Sequence, residues 1–262
     1  MEFRENGYSL CTVVYYKKLE KFQKCVMSWI NSKPHENFEI NIACNGLEKN
    51  LLEFLNSLEL KYNFVNVFYF SENVGAAKGL NTAFLASKYK YIIKLDDDVL
   101  IPKVNQDWLF KLEKCFCSNE NVDIVTGVAL AAVPTLPYVF RKLNLNERFR
   151  ETQKVSIEEI GFHYRNPNII NFNEIILKDI EEHAVLLRNN NDGYLEFKVS
   201  EEFPFRVMGC LVFTSYEVLK NFGILKENFG LHGQDDIEFD RRLLSMGRGS
   251  LTDTSLYYFH WV

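Results

Sequence analysis

Apolar positions along the first hundred residues switch repeatedly between a continuous run and a helical spacing. Ser9 to Tyr16 (SLCTVVYY) is rich in β-branched and aromatic residues and predicts a strand. From Leu19 to Asn31 the residues Leu19, Phe22, Cys25, Val26, Trp29 and Ile30 recur at helical spacing, and Pro34 ends that element. Phe38 to Cys44 (FEINIAC) predicts a second strand, closed by the turn signal Asn45-Gly46. Leu51 to Leu60 predicts a helix and Phe64 to Phe70 (FVNVFYF) a third strand. A loop at Asn73-Val74-Gly75 leads into a helix from Ala76 to Ser87, followed by the strand Tyr91 to Leu95. This alternating order implies an α/β fold with a mostly parallel sheet flanked by helices and ligands at the strand carboxyl ends.

Beyond Pro102 the pattern loosens. Trp108 to Cys117 predicts a helix and Val122 to Val133 a strand. Residues 134 to 205 read as irregular, broken by Pro134, Pro137, Pro167 and Pro204 and the turn at 189–193. Order is expected to return at Arg206 and to continue into a helix from Asp235 to Met246, stopped by Gly247. No linker divides the chain.

The fourth strand runs straight into Asp96-Asp97-Asp98. Carboxylates this close repel one another unless a cation neutralises them. Their hard oxygens suit Mg²⁺ or Mn²⁺, ions usually held by one or two carboxylates together with substrate phosphates. A metal–diphosphate site is one reading of the triplet, and a solvated acidic turn is the other.

Composition narrows the field. The 262 residues are 47% hydrophobic and 15% aromatic, ample for a core, and the net charge of −5 with no basic run argues against nucleic acid. No stretch reaches the roughly 18 apolar residues of a membrane span, and the first residues lack a signal-peptide pattern. Six cysteines without CxxC spacing suit a reducing compartment, so a cytoplasmic protein is expected, including a peripheral place at an inner membrane face.

Four blocks together resemble the GT-A glycosyltransferases, particularly their family 2. They are YSLCTVVYYKK with NIACNG, ENVGAAKGLNTAF, YIIKLDDDVLIP, and NFGILKENFGLHGQDDIEFDRRLLSMG. The resemblance covers nearly the whole chain in the expected order. It implies one GT-A domain over 1–262, with a nucleotide-sugar-binding half (1–102) and an acceptor-binding half (103–262) carrying an insertion.

The resemblance also implies roles. Asp96 and Asp98 match the outer positions of the Asp-x-Asp motif. Asp98 would bind the divalent metal, Mn²⁺ or Mg²⁺, while Asp96 lies near the sugar or ribose and Asp97 takes the variable middle place. Tyr15, Cys44, Asn45, Asn73, Gly75, Lys78 and Asn81 would line the donor site. Asp236 matches the base that deprotonates the acceptor hydroxyl in inverting members, with His232, Asp235 and Arg242 beside it on the acceptor side. His260 resembles a late histidine that completes the metal shell, although a histidine in an aromatic strand also fits a core. Asp235 and Asp236 equally suit helix caps. Two positions depart from the family: Cys44 and Asn45 stand where a nucleobase-contacting aspartate is common, and Leu80 replaces a basic residue that Lys78 could substitute.

The expected reaction is transfer of a hexosyl or N-acetylhexosaminyl group from a nucleotide-diphosphate sugar, with inversion, to a glycan, lipid-linked or protein hydroxyl in glycan or polysaccharide synthesis. Tyr138, Phe140, Phe162 and Tyr164 could stack on sugars or simply fill the core. A sugar nucleotidyltransferase would need a glycine-rich phosphate loop where Tyr15-Tyr16-Lys17-Lys18 stand. A non-catalytic nucleotide-sugar-binding module would be expected to lose the acidic blocks, which are intact.

Overall fold

The computed structural model describes residues 4–15, 19–32, 37–130, 134–163, 165–197, 209–228 and 235–261. Tyr164 and His232 lie outside these, as do Tyr16, Lys17 and Lys18. The first half follows the predicted alternation: β1 (Glu5–Val14), α1 (Leu19–Asn31), β2 (Phe38–Asn45), α2 (Lys49–Lys61), β3 (Val65–Phe70), α3 (Ala76–Ala86) and β4 (Tyr89–Leu95). A two-residue strand, β5 (Val99–Leu100), follows the aspartates, and then α4 (Trp108–Cys117) and β6 (Val122–Ala129).

Residues 134 to 195 correct the expectation of irregular chain. They form α5 (Leu136–Lys142), α6 (Asn146–Gln153), α7 (Ile157–Ile160), α8 (Pro167–Ile176) and α9 (Ile180–Asn189), then the short strand β7 (Tyr194–Leu195). Pro137 and Pro167 stand in the first turns of α5 and α8, where the missing N–H has no helical partner to lose. Proline starts these helices rather than breaking them. Asn166 caps α8, and a reciprocal Ser156–Glu159 box caps α7. Tyr138 and Phe140 are core residues, and the Phe140 ring packs against Phe149, Phe162 and Phe172.

The chain returns to the sheet through β8 (Leu211–Ser215), α10 (Tyr216–Phe222), α11 (Asp235–Ser245) and β9 (Gly249–His260). The strand order is β3-β2-β1-β4-β8-β6-β9-β5, with β7 on the side of β9. The first four strands are parallel, as predicted. β8 then runs antiparallel to both β4 and β6, and β9 pairs with β6 in parallel. The mixed half arises because β8 enters from a long segment rather than a βαβ crossover.

Every residue of β2 is buried, as expected for a strand covered on both faces. The two faces feed two cores. Tyr91, Ile93 and Leu95 of β4 join α1, α2 and α4, whereas Ile92 joins α3, α10 and α11. The period of two then carries Lys94 and the residues after it to known sides of the sheet, which sets up the site.

Candidate active site at the carboxyl end of the sheet

The parallel strands end at one edge of the sheet, and the loops after them border an open cleft of about 300 Å³ lined by Tyr15, Asn45, Gly46, Leu47, Glu48 and Asn73. Asn45 stitches this rim together: its Nδ2 donates to the Gly75 carbonyl (3.0 Å) and its Oδ1 accepts from the Val74 N–H (3.2 Å). Asn73 Oδ1 accepts from the Gly75 N–H at 2.9 Å. Gly75 has φ +88°, a backbone conformation that glycine reaches without penalty, and it turns the chain into α3. Cys44 is buried behind this rim, and burial pushes its thiol up to about 11, so it stays protonated at neutral pH. Lys78 projects into solvent from the first turn of α3.

Beyond β4 the acidic triplet is fixed by backbone bonds from distant segments. The Asp96 N–H donates to the Cys210 carbonyl (2.9 Å), and the Trp261 N–H donates to the Asp98 carbonyl (2.8 Å). Val99 pairs with His260 across β5 and β9. Asn173 Nδ2 donates to the His260 carbonyl at 2.9 Å, and Trp29 Nε1 donates to the Val99 carbonyl at 2.7 Å. His260 Nε2 therefore lies 3.2 Å from Asp98 Oδ1 and 3.9 Å from Asp96 Oδ2.

One ligand atom from each of Asp96, Asp98 and His260 lies within 4.8 Å of the others. Two carboxylates and one imidazole suit a small divalent cation that accepts oxygen and nitrogen ligands. Burial alone would lower the His260 pKa. The hydrogen bond to Asp98 and the charges of Asp98 and Asp96 outweigh it and raise it. His260 Nδ1 is buried with no hydrogen-bond partner among the described residues.

Lys94 and α11 face this cluster. Lys94 Nζ donates to Asp96 Oδ1 and to the Gly209 carbonyl. Burial opposes its charge, but Asp96 and Asp236 more than compensate and raise its pKa. Asp235 and Asp236 open α11. Burial raises the Asp235 pKa, Lys94 opposes the rise, and Asp236 adds to it. The Asp236 carboxylate rests on Gly209, where an added Cβ would stand 1.9 Å from Asp236 Oδ2.

Asp96, Asp98, His260, Asp235 and Asp236 are thus brought together. Asn81 and Arg242 are placed otherwise, because both are spent on the segment after α10. Asn81 Nδ2 donates to the Leu225 carbonyl (2.8 Å) and to Glu227 Oε1 (2.9 Å), and its Oδ1 accepts from the Leu225 N–H (3.1 Å). Arg242 Nη2 donates to the Ile224 carbonyl (2.9 Å) and pairs with Glu238 Oε2 at 3.3 Å. Sequence reasoning missed Lys94 and Gly209. A lysine set between Ile93 and Leu95, two residues before the first aspartate, was the available signal for Lys94.

The family model for Glycosyl transferase family 2 matches residues 9–179, which run from within β1 through β4 and the acidic triplet. The chain belongs to glycosyl transferase family 2. No curated protein matches it significantly over its sequence. Among solved structures, this family 2 chain is similar to the mannosyltransferase PcManGT from Pyrobaculum calidifontis, solved in complex with GDP-Man and Mn²⁺. The TM-score is 0.61 at 14% identity, over 100% of this chain and 58% of that one. It is also similar to residues 1–349 of TarS from S. aureus, with a TM-score of 0.57 at 12% identity, over 97% of this chain and 60% of that one. The shared architecture is the GT-A fold, and the chain spans about three-fifths of the length of these two structures. Among the described residues, no helix of the family 2 chain is long and apolar enough to cross a membrane.

Proposed function

We propose that this chain transfers a sugar from a nucleotide-diphosphate sugar to a hydroxyl acceptor, with a divalent cation held by Asp96, Asp98 and His260. The observation that carries this reading is the convergence of those three side chains at the end of β4, beside Lys94, Asp235 and Asp236. Bound there, a cation such as Mn²⁺ or Mg²⁺ would supply Lewis-acid stabilisation of the leaving diphosphate. The Mn²⁺ and GDP-Man bound by the mannosyltransferase of similar fold support Mn²⁺ and a hexosyl donor here.

The protein's own residues divide the remaining work. The rim of Tyr15, Asn45 and Asn73 receives the nucleoside, with the side-chain oxygen and nitrogen of Asn45 already committed to the loop. Residues 1–102 act as the donor half and residues 103–262 as the acceptor half. Asp236, at the positive end of α11, takes the proton of the acceptor hydroxyl as that oxygen attacks the anomeric carbon from the face opposite the diphosphate, inverting the configuration. His232 and Asp235 belong to the acceptor side. The acceptor is a glycan, lipid-linked or protein hydroxyl, consistent with a cytoplasmic role in polysaccharide synthesis.

The test is a panel of nucleotide sugars titrated against the protein with Mn²⁺ or with excess EDTA, following binding and donor hydrolysis. Donor binding that needs the cation, together with slow hydrolysis, is the expected result. Tight donor binding in EDTA would overturn the metal role, and binding without hydrolysis or transfer would point to a non-catalytic binding module.

A further inference from the structure

We propose that Lys94 is a positioning residue that fixes both sides of the site with one ammonium group. This inference rests on the metal–diphosphate reading above. Lys94 lies on the same face of β4 as Ile92, which packs into the apolar cluster of α3, α10 and α11. Phe84, Ile92, Val212 and Phe239 line a cavity of about 30 Å³ beside its stem. The side chain is only 12% exposed, so its ammonium finds its partners at the site end of the strand.

Two partners bind it there. The first is Asp96 Oδ1, which leaves Asp96 Oδ2 as the oxygen turned toward His260 Nε2, 3.9 Å away. A carboxylate with one oxygen bound to an ammonium presents a single, oriented ligand atom, and such outer partners set ligand geometry and affinity. The second partner is the Gly209 carbonyl, and Gly209 is the surface on which the Asp236 carboxylate rests. The ammonium therefore joins the end of β4 to the residue before Cys210 and, through it, to the start of α11. Its charge also offsets part of the repulsion among Asp96, Asp235 and Asp236.

The experiment has two arms. In metal-free protein, thermal unfolding of Lys94→Met, Asp96→Asn and the double variant forms a cycle. The Tm loss from Lys94→Met is expected to shrink to about half or less in the Asp96→Asn background. On folded protein, checked by circular dichroism, Mn²⁺ binding is read by electron paramagnetic resonance. Lys94→Met is expected to weaken it by about ten- to a hundredfold, with Lys94→Arg falling in between. Should the methionine variant not fold, Lys94→Gln replaces it in both arms. Additive Tm losses, or Mn²⁺ binding unchanged by the substitution while the wild type binds, overturn the role of Lys94 and leave the metal reading intact. A wild type that binds no Mn²⁺, with or without a nucleoside diphosphate, overturns the metal reading and this assignment with it.

Discussion

Two acidic pairs flank Lys94, and they are built in opposite ways. Asp96 and Asp98 sit at a strand end, pinned through their own backbones to Cys210 and Trp261. Asp98 also has a histidine as its charge partner. Asp235 and Asp236 open a helix, where the exposed N–H groups favour carboxylates, and the Ile237 N–H donates to Asp236 Oδ1 at 2.8 Å. On the strand side the acidic charge raises a partner's pKa, that of His260; on the helix side burial raises the acid itself, Asp235. Pairs of ionisable groups whose surroundings differ in this way are suited to different tasks. Under the proposed function the strand pair would hold the cation and the helix pair would handle the proton.

The comparison breaks most sharply at Asp98. Asp98→Ala should abolish cation-dependent binding of the donor while the fold persists, measured by calorimetry with and without Mn²⁺. Retained Mn²⁺-dependent binding would remove Asp98 from the metal shell.

On the helix side, Asp236→Asn keeps the shape and the oxygen that accepts from the Ile237 N–H but cannot accept a proton. Transfer should fall by about two to four orders of magnitude, with donor and Mn²⁺ affinity nearly unchanged. Near-normal transfer would reduce Asp236 to that local hydrogen bond and move the base to Asp235 or Glu238.

Gly209→Ala tests the same carboxylate through its support. The new methyl group would stand 1.9 Å from Asp236 Oδ2, so the helix start or the Gly209 segment must shift. A displacement on the order of 1 Å in a catalytic group lowers turnover by about a hundredfold. Steady-state kinetics should show that loss, and unchanged turnover would show that Asp236 works from another position.

The smallest effect concerns His260. Its folded pKa is raised, so its contribution to stability is full below the unfolded imidazole value of about 6.5 and is lost as pH rises through the folded value. Metal-free protein should therefore lose Tm as pH climbs through that window, and His260→Ala should flatten the curve. The same proton competes with the cation, so Mn²⁺ affinity should rise over that range. His260→Ala should weaken it by about ten- to a hundredfold. A flat Mn²⁺ titration would return His260 to the aromatic core.

Much of this architecture was legible in the residues. Continuous apolar runs marked β1 to β4, helical spacing marked α1 and α4, and the triplet after Leu95 marked the strand end. What stayed hidden depended on contacts between distant segments. Pro137 and Pro167 looked like breaks because a proline's meaning depends on whether a helix begins beside it. Asn81 and Arg242 matched a motif, yet their hydrogen bonds go to Leu225 and Ile224. Nothing local to residue 209 announces that Asp236 leans on it. His260 was visible as a candidate, whereas its pairing with Val99 was not.

That pairing ties the site to the order in which the chain is made. Asp96 and Asp98 leave the ribosome more than 150 residues before His260, and the strand that carries His260 must insert between β6 and β5. Contacts of such long sequence separation form late, after loop-closure entropy has been overcome. An early-folded N-terminal half would thus expose a cluster of aspartates with no histidine beside it. Under the proposed function, cation capture by Asp96, Asp98 and His260 would then report that β9 has docked, which would make metal affinity a measure of completed folding as well as of chemistry.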